Sequence, residues 1–108
     1  MSITEQFEEF HRDNPHVYTI LVRLARQWRA QTGRTVLGTK ALFERARWEL
    51  AIETSDADYK LNNNYTAYYA RLIMLLEDDL DTMFRLRDSE ADEWIYQKAR
   101  ELGVSWAI

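Results

Sequence analysis

The sequence predicts a mainly α protein, a compact single domain of five or six helices, and three observations carry that prediction. One proline and three glycines in 108 residues are too few for a chain built on tight turns. Apolar residues recur at three- and four-residue spacing through most of the chain. The apolar share is 46%, with four Trp, six Tyr and four Phe, enough large rings to fill a core in a chain of one-domain length. Two short segments, 34–37 and 54–61, leave room for a small β-wing.

Ser2 to Arg12 reads as a first helix, with Ile3, Phe7 and Phe10 on one side. Asn14-Pro15 starts the second: Asn as N-cap, then Pro at N1, where a missing N–H costs nothing. Val17, Ile20, Leu21, Leu24, Ala25 and Trp28 share one face, and Gly33 ends the helix just after Gln31. Thr39 caps a third helix from Lys40 to Glu53. Its apolar residues Leu42, Phe43, Ala46, Trp48, Leu50 and Ile52 spread over more than one face, as expected of a helix central in the fold. Residues 54–58 are a loop by composition.

After Asn62-Asn63-Asn64, residues Tyr65, Tyr69, Leu72, Ile73 and Leu76 make the inner face of a fourth helix. The acids Glu77, Asp78, Asp79 and Asp81 oppose the dipole of a helix that ends there. A break is therefore expected at 77–79, then a short helix through Leu80, Met83 and Phe84. Ser89-Glu90-Ala91-Asp92 has the form of a capping box with Asp at N3. It opens a last helix with Trp94, Ile95, Ala99 and Leu102 on the apolar face and Gly103 at the end. The tail from Val104 to Ile108 is apolar enough to pack on the domain or meet a partner. The organisation expected is a helical domain over 1–88, with the C-terminal helix and tail, 89–108, packed on it.

Several function classes drop out. There is no cysteine, hence no disulfide, thiolate nucleophile or zinc ribbon. No Gly-x-Ser-x-Gly elbow occurs, and the glycines cannot build a phosphate-cradling loop. His11 and His16 stand on either side of a proline-broken joint, off any single helical face, so no metal site is expected. The carboxylates between Glu77 and Asp81 sit in a solvated acidic neighbourhood with nothing to mark an acid–base pair. The expectation is no enzyme and no cofactor. The N-terminus MSITEQFEEF has neither the basic nor the apolar region of a signal peptide. The longest apolar run, 72–76, is far short of the roughly 20 residues of a membrane span, so a cytoplasmic protein is expected.

The net charge of −4 conceals an asymmetry. Residues 12–48 hold eight bases against Asp13 and Glu44, whereas 49–108 hold thirteen acids against six bases. Arg23, Arg26 and Arg29 lie on the face of the second helix opposite Leu21, Leu24 and Trp28. With Arg34 and Lys40 they can form one positive surface for phosphate contacts. The same stripe also fits a solvated face paired with acids from the C-terminal half.

The stretch Asp58 to Leu72, DYKLNNNYTAYYARL, raises the sharper question. One Asn is explained by capping alone, and three exceed what a cap needs. Beyond the inner face, the fourth helix offers Thr66, Ala67, Tyr68, Ala70, Arg71 and Met74, a small, polar surface without acid. Such a surface suits a recognition helix, with Lys60, Asn62, Asn63, Thr66, Tyr68 and Arg71 as candidate DNA contacts. Equally, the Asn run can be a capped turn and the Tyr hydroxyls can tie buried rings to backbone. The loop before it is too long for an ordinary helix-turn-helix.

Phe10-His11, Asn14-Pro15-His16-Val17-Tyr18, Leu42-Phe43-Glu44, Arg47-Trp48, Lys60-Leu61-Asn62-Asn63-Asn64-Tyr65 and Tyr69-Ala70-Arg71-Leu72 together resemble a family of small bacteriophage and prophage proteins. The resemblance covers roughly 7–87 and implies a phage origin, hence the host bacterial cytosol, and a winged-helix-like DNA-binding fold. It also implies that the helix from 89 onward is an addition to the family pattern. The function expected is a small regulatory protein that binds DNA through the 62–74 helix and the basic face. The alternative is a protein–protein module that inhibits or modulates a host protein through the acidic C-terminal half and its Trp94/Trp106 end. A homodimer joined by the apolar tail is compatible with either.

Overall fold

The computed structural model describes residues 1–54 and 61–106. Among them are five α-helices: α1 Ile3–Asp13, α2 Pro15–Thr32, α3 Thr39–Thr54, α4 Thr66–Leu76 and α5 Ala91–Leu102. Single 3₁₀ turns stand at Asn63–Tyr65 and Asp78–Leu80. No strand forms among the described residues. The β-wing expected at 34–37 is instead an extended link, tied by one backbone bond from the Leu37 N–H to the Met83 carbonyl at 2.9 Å. The segment across from it, 81–84, is a turn and offers no second rung. The wing's other half, 54–61, falls almost wholly outside the described residues.

Local chemistry sets the helix ends. Ser2 Oγ accepts the Glu5 N–H at 3.1 Å and donates to the Glu5 carboxylate at 3.1 Å, a reciprocal cap for α1. Asn14 stands at the N-cap position of α2, as Asn-Pro predicts, but makes no side-chain cap bond there; its Nδ2 donates backward to the Phe10 carbonyl at 2.9 Å and closes α1. Pro15 alone starts α2. Gly33 and Gly103 both take φ of 69°, the left-handed conformation that ends α2 and α5.

α2 buries the stripe its spacing requires, from Val17 to Ala25. α3 is not the central helix. Leu42, Phe43, Ala46 and Leu50 turn inward, but Trp48 and Ile52 remain 55% and 57% exposed. The central helix is α4, in which every residue from Tyr68 to Met74 is buried. A helix with a single charged residue, Arg71, can be covered on all sides once that charge is paired. The chain breaks at Glu77 as expected, but the short helix through 80–84 is a 3₁₀ turn followed by irregular backbone. Leu80 reaches the core from the 3₁₀ turn, and Met83 and Phe84 from the irregular segment after it. Leu76 and Leu102, last in their stripes, stay 44% and 49% exposed, because each helix runs past the core at that end.

The core gathers around Phe7. Its ring stacks on Tyr68 at 4.9 Å and meets Tyr69 and Trp94 edge-on at 4.9 and 5.2 Å. α1, α4 and α5 are thus joined through one aromatic cluster.

Candidate phosphate-binding groove

The expected recognition face of α4 is covered. Tyr68 is 2% exposed and Arg71 1%, and Ala70 and Met74 are buried with them. Tyr68 shares a 2.6 Å hydrogen bond with Thr4 Oγ1 and meets the Trp94 ring at 5.6 Å. Absence of acid on that face reflects burial against α1 and α5. Neither Tyr68 nor Arg71 presents a side chain to solvent.

The asparagines also have structural partners. Asn62 Oδ1 accepts the Asn64 N–H at 2.9 Å and caps the 3₁₀ turn. Asn63 Oδ1 accepts from Arg47 of α3, and Arg47 also donates to the Leu61 carbonyl at 3.2 and 3.3 Å. Arg47 therefore clamps the entry to α4. Asn62 and Asn63 remain exposed, Thr66 is half-buried, and Lys60 lies outside the described residues.

The basic stripe on α2 is largely answered by acids. Arg26 donates to Glu77 at 2.8 Å and to both oxygens of Asp79 at 2.9 Å. That guanidinium holds the Asp79 carboxyl below its ordinary value. Arg29 donates to the Asp79 carbonyl. Arg23 lies 3.9 Å from Glu49. Arg34 and Lys40 are exposed, at either end of the link into α3.

A groove of about 910 Å³ lies between the link 36–39, the entry to α4 at 63–67, and the segment 85–89. Asn63, Thr66 and Arg71 of the sequence candidates meet there; Lys40 follows its rim in sequence, and the α2 arginines do not reach it. Its basic wall is Arg85 and Arg87, both exposed, and among the described residues neither has an ion-pair partner. Asp88 is the one acid in the lining. α3 begins at the groove edge, where its first N–H groups lack intrahelical acceptors and the positive end of its dipole lies.

Beneath the wall lies Arg71. Its Nε donates to Asp92 Oδ1 at 2.8 Å, Nη1 to the Ala67 carbonyl at 3.0 Å and Nη2 to the Arg87 carbonyl at 2.7 Å. Asp92 Oδ2 accepts the Ser89 N–H at 3.0 Å. Burial pushes the Asp92 carboxyl upward, but the Ser89 N–H and the Arg71 guanidinium outweigh it and hold the group below its ordinary value.

Guanidinium forks over backbone donors are suited to oxyanions, phosphate above all. No histidine or cysteine stands in the lining to serve as base or nucleophile. Sequence reasoning passed over Arg85 and Arg87 because they sit in an acidic half. The available signal was the alternation Arg85-Leu86-Arg87, which in an extended segment sets two charges on one side.

No protein-family model, curated protein or solved structure matches this chain. The described residues contain no helix long and apolar enough to cross a membrane and no group of three or more His, Cys, Asp or Glu placed to hold a metal ion.

Proposed function

We propose that the protein binds nucleic acid by its phosphates, in the groove walled by Arg85 and Arg87, and does not read bases with α4. The reading rests chiefly on those two exposed guanidinium groups. Among the described residues neither has an ion-pair partner, although Asp88 stands in the same lining, and they share a concave surface with the start of α3. Lys40, in the first turn of α3, and Arg34, before the link, are further exposed cations near the groove wall in sequence. The net charge of −4 makes such binding local and strongly salt-dependent. In the phage setting that the sequence resemblance implies, the ligand would be phage or host DNA and the role regulatory.

Fluorescence anisotropy with random-sequence duplex and single-stranded DNA, stepped from about 50 to 200 mM salt, tests this. Replacing Arg85 and Arg87 by Ala together should lower the salt slope by about two. Affinity and slope unchanged in that variant would end the proposal.

A second reading, modulation of a host protein, draws on a different surface from the one its sequence argument used. Trp94 is 8% exposed and Trp106 half-buried, so neither ring stands open to a partner. Trp48 and Ile52, one turn apart on α3, are open, and the Arg45 guanidinium lies 4.6 Å from the Trp48 ring centre. A chain that binds neither DNA form at about 50 mM salt, and whose host-protein binding is lost in Trp48→Ala, would favour this reading.

A further inference from the structure

We infer that Arg71 and Asp92 are positioning residues for the groove, making α5 part of the binding machinery; the inference rests on the phosphate-binding reading above. The segment that carries Arg85 and Arg87 is irregular backbone, with no ladder or helix of its own to hold it. Two of its polar backbone groups are held from below. The Arg87 carbonyl receives Arg71 Nη2 at 2.7 Å, and the Ser89 N–H is taken by Asp92 Oδ2 at 3.0 Å. Arg71 and Asp92 are themselves joined at 2.8 Å, and Arg71 Nη1 is fixed to its own helix at the Ala67 carbonyl. One buried guanidinium thus connects α4, the basic wall and the first turn of α5.

The planar fork matters here. A guanidinium reaches three acceptors in fixed directions at once, whereas an ammonium is a point charge on a flexible stem. A second tie, from the Leu37 N–H to the Met83 carbonyl at 2.9 Å, sets the link 36–39 against the chain just before the wall. The two walls are therefore held relative to each other by hydrogen bonds that no ligand contact needs to supply. Preorganisation of this kind favours binding because the ordering is already complete in the free protein.

The test uses the full chain with Arg71→Met and Asp92→Leu combined, which removes both charges and fills the space with apolar groups. Cooperative thermal melting reports whether the domain folds. Anisotropy with duplex DNA, across the same salt range, reports the groove. The expected result is a cooperative melt, a fall in affinity of about tenfold or more, and a salt slope lowered toward that of the Arg85→Ala/Arg87→Ala variant. Should the double variant not fold, Arg71→Lys serves in its place, with the same loss of slope expected because one ammonium cannot hold Asp92 and the Arg87 carbonyl together. A folded variant that binds with unchanged affinity and slope would overturn the inference and leave the phosphate-binding reading standing. No binding by the unaltered chain would overturn both.

Discussion

The indole N–H of Trp94 donates to the Glu8 carboxylate at 2.8 Å, joining the last helix to the first across 86 positions of sequence. The Trp94 ring meets Phe7 edge-on at 5.2 Å in the same place. Trp94→Ala should therefore cost about 3–5 kcal/mol in urea denaturation. Trp94→Phe, which keeps an aromatic edge and loses the bond to an exposed carboxylate, should cost about 1–2 kcal/mol. Equal losses in the two variants would mean that the polar contact, and not the ring, carries the junction.

Removal of residues 89–108 should abolish cooperative unfolding. It uncovers Tyr68 and strips Arg71 of the Asp92 carboxylate, in addition to removing the buried Ala91, Trp94, Ile95 and Ala99. A truncated chain that keeps its near-UV circular dichroism and a sharp melt would show α5 to be an accessory.

Asp92→Ala alone leaves a guanidinium that is 2% exposed without its carboxylate; because the Asp92 side chain is itself 38% exposed, the loss should be about 1–3 kcal/mol. The contribution has a defined pH window. The folded carboxyl lies below its ordinary value, so its stabilisation is present above pH of about 4 and is lost as pH falls through the lowered folded value. Acid titration of stability should be shallower in Asp92→Ala than in the parent chain.

His11 should make stability pH-dependent at a higher range. Its ring stacks on Phe7 at 5.7 Å and stands edge-on to Tyr69 at 5.6 Å and Tyr18 at 5.9 Å, with Nδ1 buried and unpartnered. Burial, and then repulsion from Lys98, lowers its pKa from 6.5. Below pH 6.5 the unfolded chain takes up the proton more readily than the folded one, so stability should fall as pH drops, until the folded pKa is passed. His11→Phe should flatten the melting temperature below about pH 6.5. A slope that survives the substitution would place its source elsewhere.

Arg26→Ala with Arg29→Ala should leave the salt dependence of DNA binding as it is, because Glu77 and Asp79 already engage both side chains. A slope lowered by about two would return the α2 stripe to the interface.

Local sequence was enough to place most helices. The apolar spacing of α2, the capping pattern at Ser89 and the glycines at 33 and 103 each depend on neighbours within a turn, and each helix is found where those signals stand. The acids after Leu76 stopped α4 for the same local reason.

Which face of α4 was hidden could not be read that way. Tyr68 and Arg71 have the composition of a surface, and only the arrival of α1 and α5 from distant parts of the chain covers them. The exposure of Trp48 and Ile52 is the converse case, an apolar pattern left more than half open. Arg47 at the entry to α4, and Arg85 and Arg87 on the groove wall, were likewise invisible as a site, since their meaning depends on segments far apart in sequence being brought together. Sequence by itself determined where this chain coils and where it stops, because those are short-range hydrogen-bonding and steric matters. The tertiary structure alone decided which charges are spent in the interior and which remain exposed, because burial and ion pairing depend on the whole chain.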